Sequence, residues 1–374
     1  MHIAILHNRD HDLLEDDPGR EAREDVTRVA AALCDALDRK GQSAEPVVIE
    51  NDSLEFISTL KKRKPALVVN LCESLAADSR GEMAVSCLLE LSGIPFTGSS
   101  ALSLGLALHK HKAKEILLAR GVPTPAFYTV DRLGDLTTFA LPFPVIVKPS
   151  REDASVGIDF DSVVWNREDL TRVVGCILTT FKQPALVEQF ISGREVYVPL
   201  LGNSPRLSLP LSEIRFGGET FKTQPHVVSY RAKWAPESAE CLDSPSVRCM
   251  LTPELEERVV RAALAAFDAL ECRDYGRVDL RVTPAGEPYV IDINPNCDLH
   301  PGAGFAKAAA VAGIDYAALA QRLVHIALER INGNPSHRSV RPGVARRPVA
   351  ESRNILAGRS GGRAGAHRPR VQAE

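Results

Sequence analysis

The sequence predicts a mixed α/β protein, with a parallel α/β domain at the N-terminus and an α+β body behind it. Three observations carry this reading. Strand-length apolar runs alternate with amphipathic helical patterns through the first hundred residues, the signature of βαβ units in a parallel sheet. Much later, GRVDLRVTPAGEPYVIDINPN (276–296) alternates polar and apolar residues with a period of two on either side of a Pro/Gly turn, as an antiparallel hairpin does. The chain's 374 residues, 44% hydrophobic and 25% charged, are enough for two or three domains with cores of their own.

In order along the chain, residues 2–7 form a short apolar strand, and residues 20–39 place Val26, Val29, Ala30, Leu33 and Leu37 on one helical face, ended by Gly41. Strands at 46–49 and 66–70 and helices at 54–62 and 82–92 continue the alternation. Ligands of such sheets bind at the carboxyl ends of strands, where His7, Asn8 and residues 70–73 lie. Residues 102–120 read as one helix bearing Lys110, Lys112 and Lys114, a basic run that is ordinarily a solvated face. The segment LPFPVIVKPSREDASVG (141–157) is a buried strand running into a polar, flexible loop. Pro149 biases Lys148 toward extended geometry, which suits a lysine projecting from a strand end. A helix at 167–181, strands at 185–190 and 195–202 joined at Ser192-Gly193, and a helix at 253–270 capped by Thr252 with Pro253 at its first position lead to the hairpin. Helices at 303–312 and 316–330 follow it.

The hairpin carries the densest chemistry. Arg277, Asp279 and Arg281 alternate with Val278, Leu280 and Val282, and Val290, Asp292 and Asn294 alternate with Tyr289, Ile291 and Ile293, so the apolar sets are expected to face a core together. A turn centred near Ala285-Gly286 sets Asp279 opposite Asp292 and Arg277 opposite Asn294, all four on one face. Like charges directly opposite destabilise an exposed pair by a few tenths to about 1 kcal/mol, so something should compensate. A hard divalent cation is the simplest candidate, because two carboxylates and an amide oxygen are the ligands Mg²⁺ prefers. Mg²⁺ usually keeps waters and completes its shell with substrate phosphates, so a cluster this small suggests a nucleotide-bound ion. A solvated acidic hairpin face is the competing reading.

Composition excludes several classes. Residues 331–374 hold nine Arg, no Lys and two Glu (+7), leaving 36 basic and 46 acidic residues in 1–330 (-10). An acidic body lacks the basic footprint that nucleic-acid backbones require. The Arg-, Gly- and Pro-rich tail cannot bury enough apolar surface to fold and is expected to be disordered. Eight cysteines without any Cys-x-x-Cys spacing read as reduced packing residues. No signal peptide or run of 18 apolar residues is present, so the cytoplasm is the expected location.

The order of motifs adds a family. A lysine on a helix after an α/β domain, VIVKPS with its Ser/Gly loop, VEQFISGREV, Lys233 before Trp234, GRVDLR and IDINPN together resemble the ATP-grasp superfamily, and within it the D-alanine:D-alanine ligase family, over about residues 65–330. The resemblance implies a preATP-grasp domain at 1–100, two α+β subdomains at 101–200 and 201–330 that clamp ATP, and the basic tail at 331–374. It implies that Lys110 and Lys148 bind phosphates as point charges. Ser155, Val156 and Gly157 match the loop that closes over the triphosphate, Glu188, Gln189, Phe190 and Ile191 the adenine hinge, and Glu195 the acid on the ribose. Asp279, Asp292 and Asn294 match the ligands of two Mg²⁺ or Mn²⁺ ions, Arg277 the arginine that stabilises phosphoryl transfer, and Lys233 the mobile-loop lysine. The implied reaction is ATP-dependent peptide or amide ligation through an acyl phosphate, with amino-acid-like substrates; a homodimer is implied by the family alone.

At the substrate end the chain departs from the pattern. Where the family has Ser-x-Glu near the N-terminus, this chain has LHNRDHDLLEDD, with Glu15, Asp16 or Asp17 as substitutes. The family's Asn-Thr-x-Pro-Gly segment becomes Asn294-Pro295-Asn296-Cys297-Asp298-Leu299-His300, so Asn296, Asp298 and His300 are expected to face the acceptor. These departures leave open an amino-acid or peptide ligase with other substrates in specialised biosynthesis, or a nucleotide-binding protein without turnover.

Overall fold

The structure is a computed structural model that describes residues 1–9, 20–50 and 54–333. The N-terminal third is the expected α/β layer. Strands β1 (His2–Arg9), β2 (Ser43–Glu50) and β3 (Leu67–Asn70) pair in parallel in the order β2-β1-β3, with α1 (Arg20–Asp38), α2 (Glu55–Arg63) and α3 (Gly81–Leu91) as the intervening and following helices. Both faces of β1 are covered: Ile3 and Ile5 pack with Val29 and Leu33 of α1, Ala4 and Leu6 with Phe56 of α2 and Val85 of α3. That two-sided burial is why β1 reads as a continuous apolar run.

The helix expected over 102–120 is two helices, α4 (Ala101–Leu108) and α5 (Lys110–Ala119). His109 breaks them with ψ at 78°, its ring Nδ1 2.8 Å from the Gly105 carbonyl, and the Lys110 N–H donates to the Ser150 carbonyl at 3.1 Å. The chain trades a helical bond for one that docks Lys110 beside the loop at 150. The basic run is also not the solvated face it was expected to be: Lys110 and Lys114 are buried, and only Lys112 is exposed.

A four-stranded antiparallel sheet follows, in the order β4-β7-β5-β6, from β4 (Phe127–Val130), β5 (Val145–Pro149), β6 (Val163–Val164) and β7 (Ala185–Gln189), backed by α6 (Arg167–Thr180). A larger antiparallel sheet runs β11-β10-β8-β12-β13 with β9 on β8. Its members are β8 (Arg194–Leu201), β9 (Leu207–Ser208), β10 (Ser212–Ile214), β11 (Ser246–Arg248), β12 (Tyr275–Val282) and β13 (Pro288–Asn294). Between β10 and β11 lie α7 (Tyr230–Trp234) and α8 (Ala239–Leu242), and α9 (Pro253–Ala269) covers the apolar face. The Thr252 hydroxyl accepts from the Leu255 N–H at 3.4 Å with Pro253 in the first turn, the start the sequence announces. The expected boundary near residue 200 falls at the end of β8, a strand the larger sheet shares with β12.

The hairpin β12–β13 has the expected register, Arg277 opposite Asn294 and Asp279 opposite Asp292, but Leu280 pairs with Val290. The extra residue, Ile291, is a β-bulge, and it overturns the expected facing of the second arm. Val290 joins Ile293 in the core, whereas Ile291 lines a cavity beside Asp292. Two helices close the described chain, α10 (Gly304–Val311) and α11 (Tyr316–Gly333). The first residues assigned to the tail, 331–333, are therefore helical, and the rest of that segment lies outside the described residues. Among the described residues no helix is long and apolar enough to cross a membrane, and all eight cysteines are free thiols.

Candidate active site

Two adjoining cavities meet at the polar face of β12–β13. Arg277, Asn294 and Lys233 line both. The charges that hairpin register brings face to face are compensated within the protein. Arg277 clamps Asp279 with two bonds, Nε to Oδ1 at 2.6 Å and Nη2 to Oδ2 at 2.8 Å, and the Asn294 amide adds one to Oδ2 at 3.1 Å. The guanidinium also lies over the Tyr197 ring at 4.6 Å. Opposite, the Lys110 ammonium donates to both Asp292 oxygens at 2.9 Å and to Asp153 at 2.7 Å. Burial works to raise the Asp292 pKa, but Lys110 and Lys148 hold the carboxyl below the usual range. Burial likewise opposes the Lys110 charge, and Asp153 and Asp292 outweigh it and push its pKa up.

The second cavity runs from this face to the seam between the two antiparallel sheets, and its floor is a buried charge cluster. Glu188 on β7 is 1% exposed, with Oε1 3.1 Å from the ammonium groups of both Lys148 on β5 and Lys114 on α5. Neither approach has hydrogen-bond alignment, so these are charge contacts. Lys114 donates instead to the Thr124 hydroxyl at 2.7 Å, and burial lowers its pKa to about 8. Gln189, Phe190 and Ile191 continue along one wall, and Glu195 on β8 closes it, its carboxylate accepting from the Tyr197 hydroxyl at 2.8 Å. Burial raises the Glu195 pKa against the opposing pull of Arg281.

The loop after Lys148 comes over the junction of the cavities. Ala154, Ser155 and Gly157 have positive φ. A Cβ on Gly157 would lie 2.6 Å from Pro149 Cγ and 2.8 Å from Phe181 Cζ, so glycine is required for both conformation and space. Ser155 lines the second cavity and Val156 the first, and the Val156 N–H is already donated to the Asp153 carbonyl at 3.0 Å. The Trp234 indole of α7 donates to the Ala154 carbonyl at 3.0 Å and so fastens the loop to the helix that carries Lys233. Lys233 stands solvent-accessible between the cavity walls, and crowding by protein atoms followed by the Arg277 charge lowers its pKa.

The first cavity is rich in carboxylates. Asn296 is held by three bonds, accepting from Tyr275 at 3.0 Å and donating to the Cys72 carbonyl at 3.1 Å and to Glu82 at 3.0 Å. Asp298 lines the cavity and accepts the His300 N–H at 2.7 Å. Glu73, in the loop after β3, has its pKa raised to about 8 by burial and by Asp298, and burial and Asp153 raise that of Glu82 well above the usual value. His300 lines neither cavity: its Nδ1 accepts the Gly302 N–H at 3.0 Å and shapes a turn. His7 and Asn8 are buried at the end of β1 and do not reach the cavities either; Asn8 braces the next loop through Ser74 at 2.9 Å and the Glu73 N–H at 3.1 Å. Glu15, Asp16 and Asp17 lie outside the described residues. Among the described residues no group of three His, Cys, Asp or Glu side chains stands ready to hold a metal.

A family model described as D-ala D-ala ligase C-terminus matches residues 118–325. The chain belongs to the D-alanine–D-alanine ligase family. A D-alanine–D-alanine ligase of Carboxydothermus hydrogenoformans is 31% identical over 317 residues, 82% of this chain and 95% of that one. An uncharacterized protein of Sinorhizobium fredii is 33% identical over 315 residues, 82% of this chain and 89% of that one. The fold is shared with the D-alanine–D-alanine ligase of Bacillus anthracis complexed with ATP, at a TM-score of 0.67 and 22% identity over 88% of this chain and 98% of that one. It is shared as well with the D-Ala:D-Ser ligase VanG of Enterococcus faecalis, at a TM-score of 0.64 and 18% identity over 87% and 99%. The protein is an ATP-dependent ligase with the ATP-grasp fold.

Several residues of this D-alanine–D-alanine ligase family member escaped the sequence reading. Lys114 was masked by its charged neighbours, although its i+4 spacing from Lys110 places both on one helix face. Glu73 lies in the strand-end segment 70–73 expected to line a site and does line the first cavity, whereas Glu82 reads only as the start of a helix. Nothing in its spacing tells that Glu82 meets Asn296, which lies 214 residues further on. Trp234 served only to locate Lys233; its tie to the loop carbonyl is a tertiary contact with no local signal.

Proposed function

We propose that this ligase joins the carboxylate of one amino-acid-like substrate to the amine of another through an acyl phosphate, with the nucleotide in the second cavity and the substrates in the first. The observation that carries the proposal is the meeting of the two cavities at Arg277, Asn294 and Lys233, so that a γ-phosphate and a substrate carboxylate have a shared boundary carrying two cations, with Asp153 and Asp298 beside them. ATP phosphorylates the carboxylate, the amine attacks the acyl carbon, and phosphate leaves from the tetrahedral intermediate. No side-chain nucleophile is needed; positioned charge does the work.

Lys148 and Lys110 are assigned to the phosphates, Gln189 to Ile191 and the Glu188 region to the base, and Glu195 to the ribose. Arg277 and Lys233 neutralise charge that develops during transfer. The loop at 154–157, pinned by Trp234, excludes the water that would hydrolyse an acyl phosphate. Asp279, Asp292 and the Asn294 amide oxygen fit Mg²⁺ or Mn²⁺. Two carboxylates and one amide are too few for a resident ion but suit one that takes its remaining ligands from phosphates and water. When bound, such ions neutralise phosphate charge. Free thiols throughout suit a reducing, cytoplasmic setting.

On the substrate side, Glu73, Asp298 and Asp25 line one cavity; Asp298 and Asp25 offer carboxylates to an ammonium group, and such a cation would draw the proton from Glu73, whose pKa is raised to about 8. This wall differs from the sequence pattern for two D-alanines, and that difference supports a substrate pair other than two D-alanines. The test is phosphate release from Mg-ATP across D- and L-amino acids, basic amino acids and dipeptides, with products identified by mass. Release with D-alanine alone would remove the alternative pair, and silence across the panel together with tight ATP binding would favour a nucleotide-binding protein without turnover.

A further inference from the structure

Arg281 has no part in the assignments above, yet it is the most heavily enclosed cation of the second cavity. It sits on β12 at 4% exposure, directly opposite Glu195 of β8 in the sheet register. Its guanidinium carbon lies 5.0 Å from the centre of the Phe190 ring and 5.9 Å from that of Phe216. Nη2 donates to the His226 carbonyl, and the His226 ring stacks on Phe216 at 5.1 Å. Nη1 has no aligned hydrogen bond; it stands 3.3 Å from Glu195 Oε2. Glu195 in turn is 7% exposed, with Oε1 taken by the Tyr197 hydroxyl at 2.8 Å.

One side chain thus touches the base-side wall at Phe190, the acid assigned to the ribose, and the segment 216–226, whose flanking residues Ile214 and Val227 line the cavity. A long flexible carboxylate with one oxygen tied to a phenol would swing or protonate in so dry a place; a planar, permanently charged guanidinium held between two rings fixes where its other oxygen stands. A buried N–H donor left unaligned is expensive to retain for packing alone, since an apolar residue would fill the same slot without the unmet bond.

We propose that Arg281 is a positioning residue that holds the Glu195 carboxylate in place to accept the ribose hydroxyls, and thereby makes this ligase select ribonucleotides. The proposal rests on the assignment of Glu195 to the ribose.

The test is direct binding of Mg-ATP and Mg-2′-deoxyATP to the full chain by calorimetry, which needs no knowledge of the amine or acid substrate. The unaltered chain should prefer ATP by about tenfold, the range expected for a charged hydrogen bond to a hydroxyl. Arg281→Met should bring the two nucleotides to within about twofold of each other, as Glu195→Gln should, and Arg281→Lys should restore part of the preference. A purely structural role would weaken both nucleotides equally and leave their ratio alone, which overturns the proposal. So does an unaltered chain that does not distinguish the two. If Arg281→Met fails to fold, Arg281→Lys with an undiminished ratio and unchanged circular dichroism overturns it as well. Failure of the unaltered chain to bind Mg-ATP at all would instead sink the ligase reading on which the proposal stands.

Discussion

At the scale of single residues, the site is made of charges whose partners come from distant parts of the chain. Asp292 is held ionised by Lys110, and Arg277 fixes the Asp279 carboxyl with two bonds, so the hairpin's oxygens are placed as ligands before any ion arrives. Asp292→Asn should cut phosphate release by at least about a hundredfold while circular dichroism and Tm stay close to those of the unaltered chain, because Lys110 keeps Asp153. Full activity in that variant would remove Asp292 from the metal assignment. Glu73 behaves in the opposite sense. With its pKa raised to about 8 by burial and by Asp298, the folded state binds a proton that the unfolded state releases near pH 4.5. Its contribution to stability is therefore lost as pH rises from about 5 to 8. Glu73→Gln should raise Tm by a few degrees at pH 8, with the gain closing toward pH 5. A gain equal at both pH values would show that the carboxyl is not held neutral.

Among elements, the hairpin shows what a period-two pattern can and cannot give. Val278, Leu280 and Val282 point inward as the alternation demands, and Asp279 faces Asp292 as the Ala285-Gly286 turn requires. The bulge at Ile291 shifts the phase of the alternation by one residue, which is why Val290, an apolar residue set with Asp292 and Asn294, faces the core beside Ile293. Gly276 fixes the other end: a Cβ there would meet Phe267 Cε2 at 2.5 Å and the Asn294 carbonyl at 2.8 Å. Gly276→Ala should therefore push β12 off α9 and displace Asn294, costing about 1–3 kcal/mol in denaturant unfolding and lowering activity beyond what that loss explains. An alanine variant of unchanged stability would mean that Phe267 gives way freely. The broken helix at His109 makes the same point, because its cause is a hydrogen bond from the Lys110 N–H to Ser150, forty residues away in sequence.

For the whole molecule, Arg330 of the last helix binds Asp274 through two bonds at 2.8 Å, and the same carboxylate accepts from Gly98 and Asn203, each at 2.9 Å. Asp274 is 0% exposed. This one cluster ties the end of the N-terminal layer, the loop after β8 and the start of β12 to α11. Arg330→Met leaves a buried carboxylate short of its cation and should cost roughly 3–5 kcal/mol, read as a fall in Tm; adding Asp274→Asn should recover part of it. A loss under about 1 kcal/mol would place the two groups in water.

The sequence by itself determined the parallel N-terminal layer, the helices near 20–39 and 253–270 and the hairpin register, because each rests on periodicity or turn residues within a few positions, and its motifs named phosphate, hinge and metal candidates. It also told that the substrate end had changed, at LHNRDHDLLEDD and NPNCDLH. Only the tertiary structure decided that Lys114 is buried against Glu188, that Asn296 braces Glu82, that His300 turns away, and that Arg281 meets Glu195 between two rings. Except at His300, whose partner Gly302 is two residues away, a charged or polar side chain has an ordinary surface reading in its own segment. Its burial is set by an element that folds against it from elsewhere, and that information is absent from any local window of the chain.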